Sequence, residues 1–121
     1  MIGGGFGAFI GDAHRRASRI SDRFQLIGGV FDKDIEKGKE FGLSQGLAID
    51  RCYASIEDFI SGEIALPESE RIEAVAVVTP NFLHFPNAKL LLENGFHVMC
   101  EKPMTMTVAE AEYLQQQVDD T

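Results

Sequence analysis

Short apolar runs recur along the chain between longer segments of mixed polarity, and this alternation predicts the secondary structure. Residues 72–79, IEAVAVVT, are rich in β-branched side chains and are typical of a strand buried on both faces. Residues 24–31, FQLIGGVF, and the shorter runs at 51–55 and 96–100 lack helical spacing and are predicted as further strands. The predicted strands are thus short and spread over the whole chain.

The segments between these strands carry the start and stop signals of helices. Residues 34–42, DIEKGKEFG, form a charged segment that favours a helix. Ser55 and Thr107 each stand three residues before an acidic residue, which is a capping pattern of helix starts. In residues 84–95 the apolar side chains follow helical spacing, and Gly95 is placed to end the helix. Strands that alternate with helices predict an α/β fold with a parallel sheet.

The composition is that of one globular domain. Of the 121 residues, 45% are apolar and 25% are charged, and no apolar run approaches the length of a membrane span. We therefore expect no membrane partner and, because no secretory signal is recognisable, a cytoplasmic location. The net charge of −8 argues against a nucleic-acid partner. The two cysteines lack metal-ligand spacing, so no metal site is predicted.

Charge is unevenly distributed along the chain. The first 40 residues are close to neutral, while the acidic excess lies in the remainder. Near the amino end, basic residues recur at nearly helical spacing: Arg15, Arg16, Arg19 and Arg23. This pattern predicts a solvated helix face, and attraction of an anion is the alternative.

Four of the first seven residues are glycine, and residues 3–8, GGGFGA, fit the G-x-G-x-x-G/A pattern of dinucleotide-binding loops. We call these residues the glycine loop. Gly3 would permit the tight turn, Gly5 would let the backbone approach a pyrophosphate, and Ala8 would allow close packing of helix against strand. From about Gly7 a helix would point its free N–H groups at the phosphates. Phe6 would either cover the pyrophosphate or fill space in the fold.

Asp32 directly follows the strand predicted at 24–31. In that place a carboxylate accepts hydrogen bonds from the adenosine ribose of the cofactor. Because it would repel a 2′-phosphate, we expect NAD, while the neighbouring Lys33 keeps NADP possible. The alternative is that Asp32 or Asp34 caps the next helix. Asp32 is further from Gly3 than the usual ~20 residues, and a first helix that extends through the arginine-rich stretch would account for this.

A second group of polar residues follows two later strands. Thr79, Pro80 and Asn81 stand at the carboxyl end of the strand predicted at 72–79, where parallel sheets bind their ligands. Asn81 would hold the nicotinamide end of the cofactor, cap a helix, or do both. His84 would line the same pocket or pack inside the fold. Lys102 follows the next strand, and an ammonium there could polarise a substrate oxygen.

The glycine loop, Asp32, the TPN tripeptide with His84, and the tripeptide Glu101-Lys102-Pro103 occur together and in this order. In these residues the chain resembles the glucose-fructose oxidoreductase / inositol dehydrogenase / rhizopine-catabolism family (Gfo/Idh/MocA). The resemblance implies a Rossmann-type doubly wound parallel sheet and an NAD(P)-dependent dehydrogenase acting on a sugar, polyol or inositol. It also implies that Lys102 is catalytic, that Glu101 contacts the nicotinamide ribose, and that Pro103 shapes the turn.

The resemblance covers the nucleotide-binding half of such an enzyme. We therefore expect residues 1–121 to be an incomplete NAD(P)-binding domain, with the first strand and the C-terminal part missing and the substrate domain absent. The parent enzyme is expected to be a homo-oligomer, and the fragment alone to be inactive. A non-catalytic dinucleotide-binding module and a fragment that binds nothing are the alternatives. The residues expected to contact the cofactor are Gly3, Gly5, Phe6, Gly7, Ala8, Asp32, Thr79, Pro80, Asn81, His84, Glu101 and Lys102.

Overall fold

The computed structural model describes residues 1–120, which fall into two compact units. Unit 1 is Met1–Ile72, and unit 2 begins at Glu73. The helices and strands of unit 1 are β1 (Ile2–Gly3), α1 (Phe9–Ser21), α2 (Ile35–Ser44) and α3 (Ile56–Ala65). Those of unit 2 are β2 (Ala74–Val78), α4 (His84–Glu93), β3 (His97–Cys100) and α5 (Val108–Asp119). Within residues 1–120, no helix has the length and apolar character needed to cross a membrane.

The extended segments of unit 1 are joined by short parallel bridges. Ile2 pairs with Val30, and Gly29 pairs with Cys52. Backbone hydrogen bonds of 2.7–3.0 Å hold both bridges. Of the first strand, which is expected to be missing, the structure contains only the two residues of β1.

The strands predicted at 24–31 and 51–55 are shorter than the sequence indicates. Residues 24–28 have no strand partner in the described part of unit 1, so that pairing is confined to residues 29 and 30. The second run is limited on one side by the 3₁₀ turn Ile49–Arg51 and on the other by Ser55, which caps α3. Apolar content alone does not extend a strand where no partner backbone is available.

The helices predicted after each strand are confirmed, together with most of their caps. The Asp34 carboxylate accepts from the N–H groups of Glu36 and Lys37 and so caps α2. The Ser55 hydroxyl accepts from the N–H of Asp58 at the start of α3. α1 contains Arg15, Arg16 and Arg19 but ends at Ser21, before Arg23, so it covers only part of the arginine-rich stretch. Residues 22–28 complete the distance to Asp32 without regular structure.

Glu63 on α3 is completely buried and holds the interior of unit 1 together. Its carboxylate accepts from the Arg51 guanidinium at 2.9 Å, the Tyr53 hydroxyl at 2.7 Å and the Ile72 N–H at 2.8 Å. Burial, reinforced by the hydrogen bond to Glu63, raises the pKa of Tyr53. These three donors compensate for the loss of hydration that a buried carboxylate suffers. They tie α3 to the segments on either side of it.

Cys52 lies beneath α2 and is buried. Gly42 faces its sulfur so closely that a Cβ at this position would overlap the Cys52 Sγ atom. Burial raises the pKa of the Cys52 thiol, and the nearby Asp50 adds to this effect. Cys52 is therefore a packing residue.

In unit 2, β2 and β3 pair in parallel over the register Ala74↔His97 to Val77↔Cys100. The side chains of Val75 and Val77 are fully buried, which fits the predicted buried strand. α4 connects the two strands, as a parallel crossover requires.

The ends of the unit 2 helices follow the sequence signals closely. Gly95, two residues beyond the end of α4, terminates the helix with a φ of +81°. The Phe96 N–H donates to the Leu91 carbonyl at 3.1 Å. This is the Schellman arrangement that glycine favours. α5 begins with the capping box formed by Thr107 and Glu110. Both predicted helices of unit 2 are thus confirmed.

Candidate functional site

The glycine loop in unit 1 follows β1 and leads into α1. The φ angles of Gly3 and Gly7 are +83° and +74°, in the region that glycine adopts most easily. Around Gly7 a Cβ would meet nothing within 4 Å, so the backbone borders open space. At Gly5 a Cβ would overlap the carbonyl oxygen of Phe31. Gly5 thus brings the loop against the residue before Asp32, whereas the sequence pattern predicts that this glycine makes room for a pyrophosphate.

Gly11 and Arg15, one turn apart on α1, contact the glycine loop and support it. The sequence pattern identifies neither residue as part of the site. A Cβ on Gly11 would lie 2.5 Å from the Gly4 Cα, so this glycine is what permits the helix to pack on the loop. Arg15 NH1 donates to the Gly4 carbonyl at 2.6 Å, and its guanidinium lies 4.9 Å from the centre of the Phe41 ring. Burial lowers the pKa of Arg15, with Asp12 acting in the opposite direction.

The predicted solvated arginine face is therefore wrong at two positions. Arg15 is only 7% exposed, and Arg23 lies beyond the end of α1, whereas Arg16 and Arg19 are exposed on the helix. All four residues are arginines, and the sequence feature that distinguishes the buried one is Gly11, one turn before Arg15. A small residue at that spacing leaves space through which a long side chain reaches the loop.

The amino end of α1 has no side-chain cap. Its N-cap residue is Ala8, whereas α2, α3 and α5 are each capped by a side-chain oxygen. The first N–H groups of a helix have no partner within the helix, and they attract anions. The glycine loop therefore ends at a helix terminus whose chemistry suits a phosphate group.

Phe6 forms the outer side of the glycine loop. Its ring packs edge-on against Phe41 at 5.1 Å, and Phe41 in turn contacts Phe31. Phe6 nevertheless remains 57% exposed. It thus fills space in the fold on one side and presents an aromatic face to solvent on the other.

Asp32 is partly exposed and does not cap α2, because Asp34 does so. One oxygen of Asp32 accepts from the Asp34 N–H at 2.9 Å. This hydrogen bond orients the carboxylate at the carboxyl end of the 29–30 bridge, next to the glycine loop. Unit 1 thus brings the loop and the predicted ribose-binding residue together.

In unit 2, Thr79, Pro80 and Asn81 follow β2 directly. Asn81 opens the 3₁₀ turn Asn81–Leu83 and is exposed, and its side chain caps neither this turn nor α4. The Thr79 hydroxyl accepts from the Asn87 amide at 3.4 Å, which links the turn to α4. The Asn81 amide is therefore not engaged as a helix cap.

Glu101, Lys102 and Pro103 follow β3. The Glu101 N–H donates to the Val77 carbonyl at 3.0 Å, so that the ladder with β2 reaches this residue. The Lys102 N–H donates to the Glu101 carboxylate at 3.2 Å, and the Lys102–Pro103 peptide is cis. Lys102 is exposed at the same end of the strand pair as Asn81.

His84 joins these two loops of unit 2. It is 1% exposed, and its ring nitrogens lie 2.7 Å from the Pro103 carbonyl oxygen and 2.8 Å from that of Thr79. Both polar atoms of the ring are thereby used within the protein. The expected site residues therefore form two groups, one in each unit: the glycine loop with Asp32, and the Thr79–Asn81 turn with the loop of Lys102.

The whole chain, residues 1–121, matches a family model described as "Oxidoreductase family, NAD-binding Rossmann fold". The uncharacterized oxidoreductase YfiI of Bacillus subtilis is 41% identical over 113 residues, which are 93% of this chain and 28% of that protein. The scyllo-inositol 2-dehydrogenase (NADP(+)) IolU of the same bacterium is 30% identical over 96 residues, which are 79% of this chain and 26% of that enzyme.

Solved structures agree with this match. A crystal structure of an inositol dehydrogenase homolog from Azotobacter vinelandii, complexed with NADH and myo-inositol, is 40% identical with a TM-score of 0.95. The alignment covers 99% of this chain and 31% of that one. The α/β fold expected from the sequence is thereby confirmed as a Rossmann fold. This chain spans between 26% and 31% of the length of these three relatives.

Proposed function

Since this chain belongs to the Gfo/Idh/MocA oxidoreductase family, whose fold binds NAD, we propose that it is the nucleotide-binding part of a dehydrogenase. The substrate would be a sugar, polyol or inositol, and hydride would pass between its hydroxyl or keto carbon and the nicotinamide. The single observation that carries the proposal is the uncapped amino end of α1 behind the glycine loop. There a helix terminus and open space beside Gly7 suit the pyrophosphate of a dinucleotide.

In unit 1 the glycine loop binds the pyrophosphate, and Arg15 keeps the loop in shape by holding the Gly4 carbonyl. Phe6 covers the phosphates with its exposed face. Asp32 accepts hydrogen bonds from the adenosine ribose. Its carboxylate is available for this because Asp34, and not Asp32, caps α2. The same carboxylate would repel a 2′-phosphate, so we propose NAD as the preferred cofactor and NADP as a weaker one. A parallel titration with NADPH measures this preference.

In unit 2 the Asn81 amide and the Glu101 carboxylate bind the nicotinamide and its ribose. Lys102 donates a hydrogen bond to the substrate oxygen and can exchange a proton with it as charge develops there. The bound nicotinamide supplies or accepts the hydride. The protein holds the side chains of Asn81, Glu101 and Lys102 in position for the reaction and excludes water from them. The homo-oligomeric state and the cytoplasmic location expected from the sequence stay predictions.

Two glycines of similar conformation provide the test. Gly7 and Gly46 have φ angles of +74° and +76°, and a Cβ on either would meet nothing within 4 Å. Alanine should therefore strain the backbone to a similar degree at both positions, by about 1 kcal/mol. Only the new methyl group of G7A would stand where the pyrophosphate is proposed to lie.

We expect the chain to bind NADH, as measured by the change in NADH fluorescence on titration. G7A should weaken binding at least about tenfold, which corresponds to 1.4 kcal/mol, while G46A should change it by less than about twofold. Equal effects of the two substitutions would refute the glycine loop as the phosphate site. Absence of NADH binding by the unsubstituted chain would instead favour the fragment that binds nothing.

A further inference from the structure

His84 is the most buried polar side chain of unit 2 whose chemistry the proposed function leaves unused. It begins α4 and is 1% exposed. Nδ1 lies 2.7 Å from the carbonyl oxygen of Pro103, and Nε2 lies 2.8 Å from that of Thr79. Thr79 directly follows β2, and Pro103 lies in the loop after β3. One ring therefore bridges the loops that follow two paired strands.

Both partners of the ring are hydrogen-bond acceptors. A carbonyl oxygen carries no proton, and a neutral imidazole has one N–H group and one lone pair. A neutral ring could therefore donate to only one carbonyl, and its lone pair would face the other at hydrogen-bond distance. Whichever nitrogen carries the proton, the ring lies between the two carbonyls and fixes their separation.

We propose that His84 is a positioning residue for Lys102, which it holds by bridging the Pro103 and Thr79 carbonyls. This inference rests on the proposed function of Lys102 at the substrate oxygen. The contact with Pro103 fixes the backbone next to Lys102, and the contact with Thr79 fixes the start of the turn that presents Asn81. The two loops are thereby held in one arrangement through a single side chain.

The charged groups of the surrounding elements have other partners. Lys89 on α4 pairs with Glu93 at 3.8 Å and stacks on the Tyr113 ring of α5 at 4.9 Å. In the loop after β3, the Glu101 carboxylate accepts from the Lys102 N–H. Within the described part of unit 2, the hydrogen bonds of the His84 ring go to backbone carbonyls alone. The two carbonyls are therefore the groups that fix the ring and, through it, the two loops.

The ring nitrogens give a direct spectroscopic test in the full chain. The protein has three histidines, and comparison with H84F assigns the His84 signals in a nitrogen NMR spectrum. We expect the ring N–H of His84 to exchange slowly with solvent, as a buried N–H that contacts a carbonyl does. A His84 ring N–H that exchanges as fast as that of the exposed His97 would overturn the bridge between the carbonyls. This measurement needs no cofactor.

Amide hydrogen exchange tests the positioning itself. H84F keeps a ring of similar size but donates to neither carbonyl, whereas H97F replaces an exposed histidine on the adjacent strand. We expect H84F to speed exchange at Lys102 and Asn81 by at least about fivefold, the equivalent of one net hydrogen bond. H97F should leave both amides unchanged. Unchanged exchange in a folded H84F variant would overturn the proposal.

A conservative variant separates positioning from a purely structural role. The amide of H84Q can still donate to a carbonyl, whereas the ring of H84F cannot. Exchange at Lys102 and Asn81 should therefore be slower in H84Q than in H84F, and equal exchange in the two variants would contradict the proposal. If NADH fails to bind while these differences occur, the proposed function fails and the positioning role of His84 stands. If NADH binds and the differences are absent, the positioning role fails alone.

Discussion

Cys100 is the last residue of β3 and directly precedes Glu101, so that its thiol reports on the charge of the loop that carries Lys102. Burial raises the pKa of Cys100, and the Glu101 carboxylate raises it further. Only the thiolate is alkylated, so the raised pKa lowers the reactive fraction at any pH below it. The neighbouring carboxylate thus slows the reaction of this sulfur.

Replacing that carboxylate by an amide should therefore accelerate alkylation. We expect E101Q to react severalfold faster with iodoacetamide at pH 8 than the unsubstituted chain, as measured by mass spectrometry of the Cys100 peptide. E73Q is the matched control, because Glu73 precedes β2 at the opposite end of the strand pair. An unchanged or slower rate in E101Q would show that Glu101 does not act on the thiol.

At the scale of single residues, the sequence shows which positions are special but not which contacts make them so. The spacing of Gly3, Gly5 and Ala8 correctly identifies a nucleotide-binding fold, yet Gly5 is constrained by the Phe31 carbonyl. The burial of Arg15 was not predictable from charge, because burial depends on the space that Gly11 leaves. Contacts between residues far apart in sequence decide both cases.

α5 depends on its capping box for a defined start. The Thr107 hydroxyl accepts from the Glu110 N–H at 3.3 Å, and the Glu110 carboxylate accepts from the N–H groups of Met106 and Thr107. T107A should lower the free energy of unfolding by about 1 kcal/mol, because it leaves a helix N–H without an acceptor. Urea denaturation followed by circular dichroism measures the change.

T107S is the control for this substitution, since serine retains the hydroxyl that accepts the hydrogen bond. It should differ from the unsubstituted chain by no more than a few tenths of a kcal/mol. If T107S were as destabilised as T107A, the loss would come from the methyl group of Thr107, and the cap would contribute little.

At the scale of elements, local signals predict helices well and strands less well. A capping residue such as Ser55 acts on N–H groups within three residues of itself, so the sequence contains the whole interaction. A strand needs a partner that is distant in sequence. This is why residues 24–31 and 51–55 pair only through isolated bridges in unit 1, whereas 72–79 contains the five residues of β2.

At the scale of the whole molecule, the chain should bind the cofactor without catalysing a reaction. The family resemblance implies that a second domain binds the substrate, and this chain spans between 26% and 31% of the length of the three relatives named above. We therefore expect the 121-residue chain to bind NADH but to leave NAD unreduced in the presence of inositols, pentoses and hexoses. The absorbance of NADH measures reduction directly.

K102A distinguishes true turnover from a contaminating activity in this assay. Substrate-dependent formation of NADH by the chain, lost in K102A, would contradict the expectation and show that these residues suffice for catalysis. The family and the fold were predictable from the sequence, because the motifs that define them lie within it. The substrate was not, since no residue of the two groups in unit 1 and unit 2 distinguishes one polyol from another.

The contact between Gly42 and Cys52 has a practical consequence for phasing. No atom can be added to the Cys52 sulfur without displacing α2, so a mercury compound should spare it. Cys100 is the other cysteine of the sequence and is only partly buried. A crystal soaked in a mercury compound should therefore acquire one heavy atom per chain, at the carboxyl end of β3. In the map phased from that atom, its site would mark the position of the neighbouring Lys102.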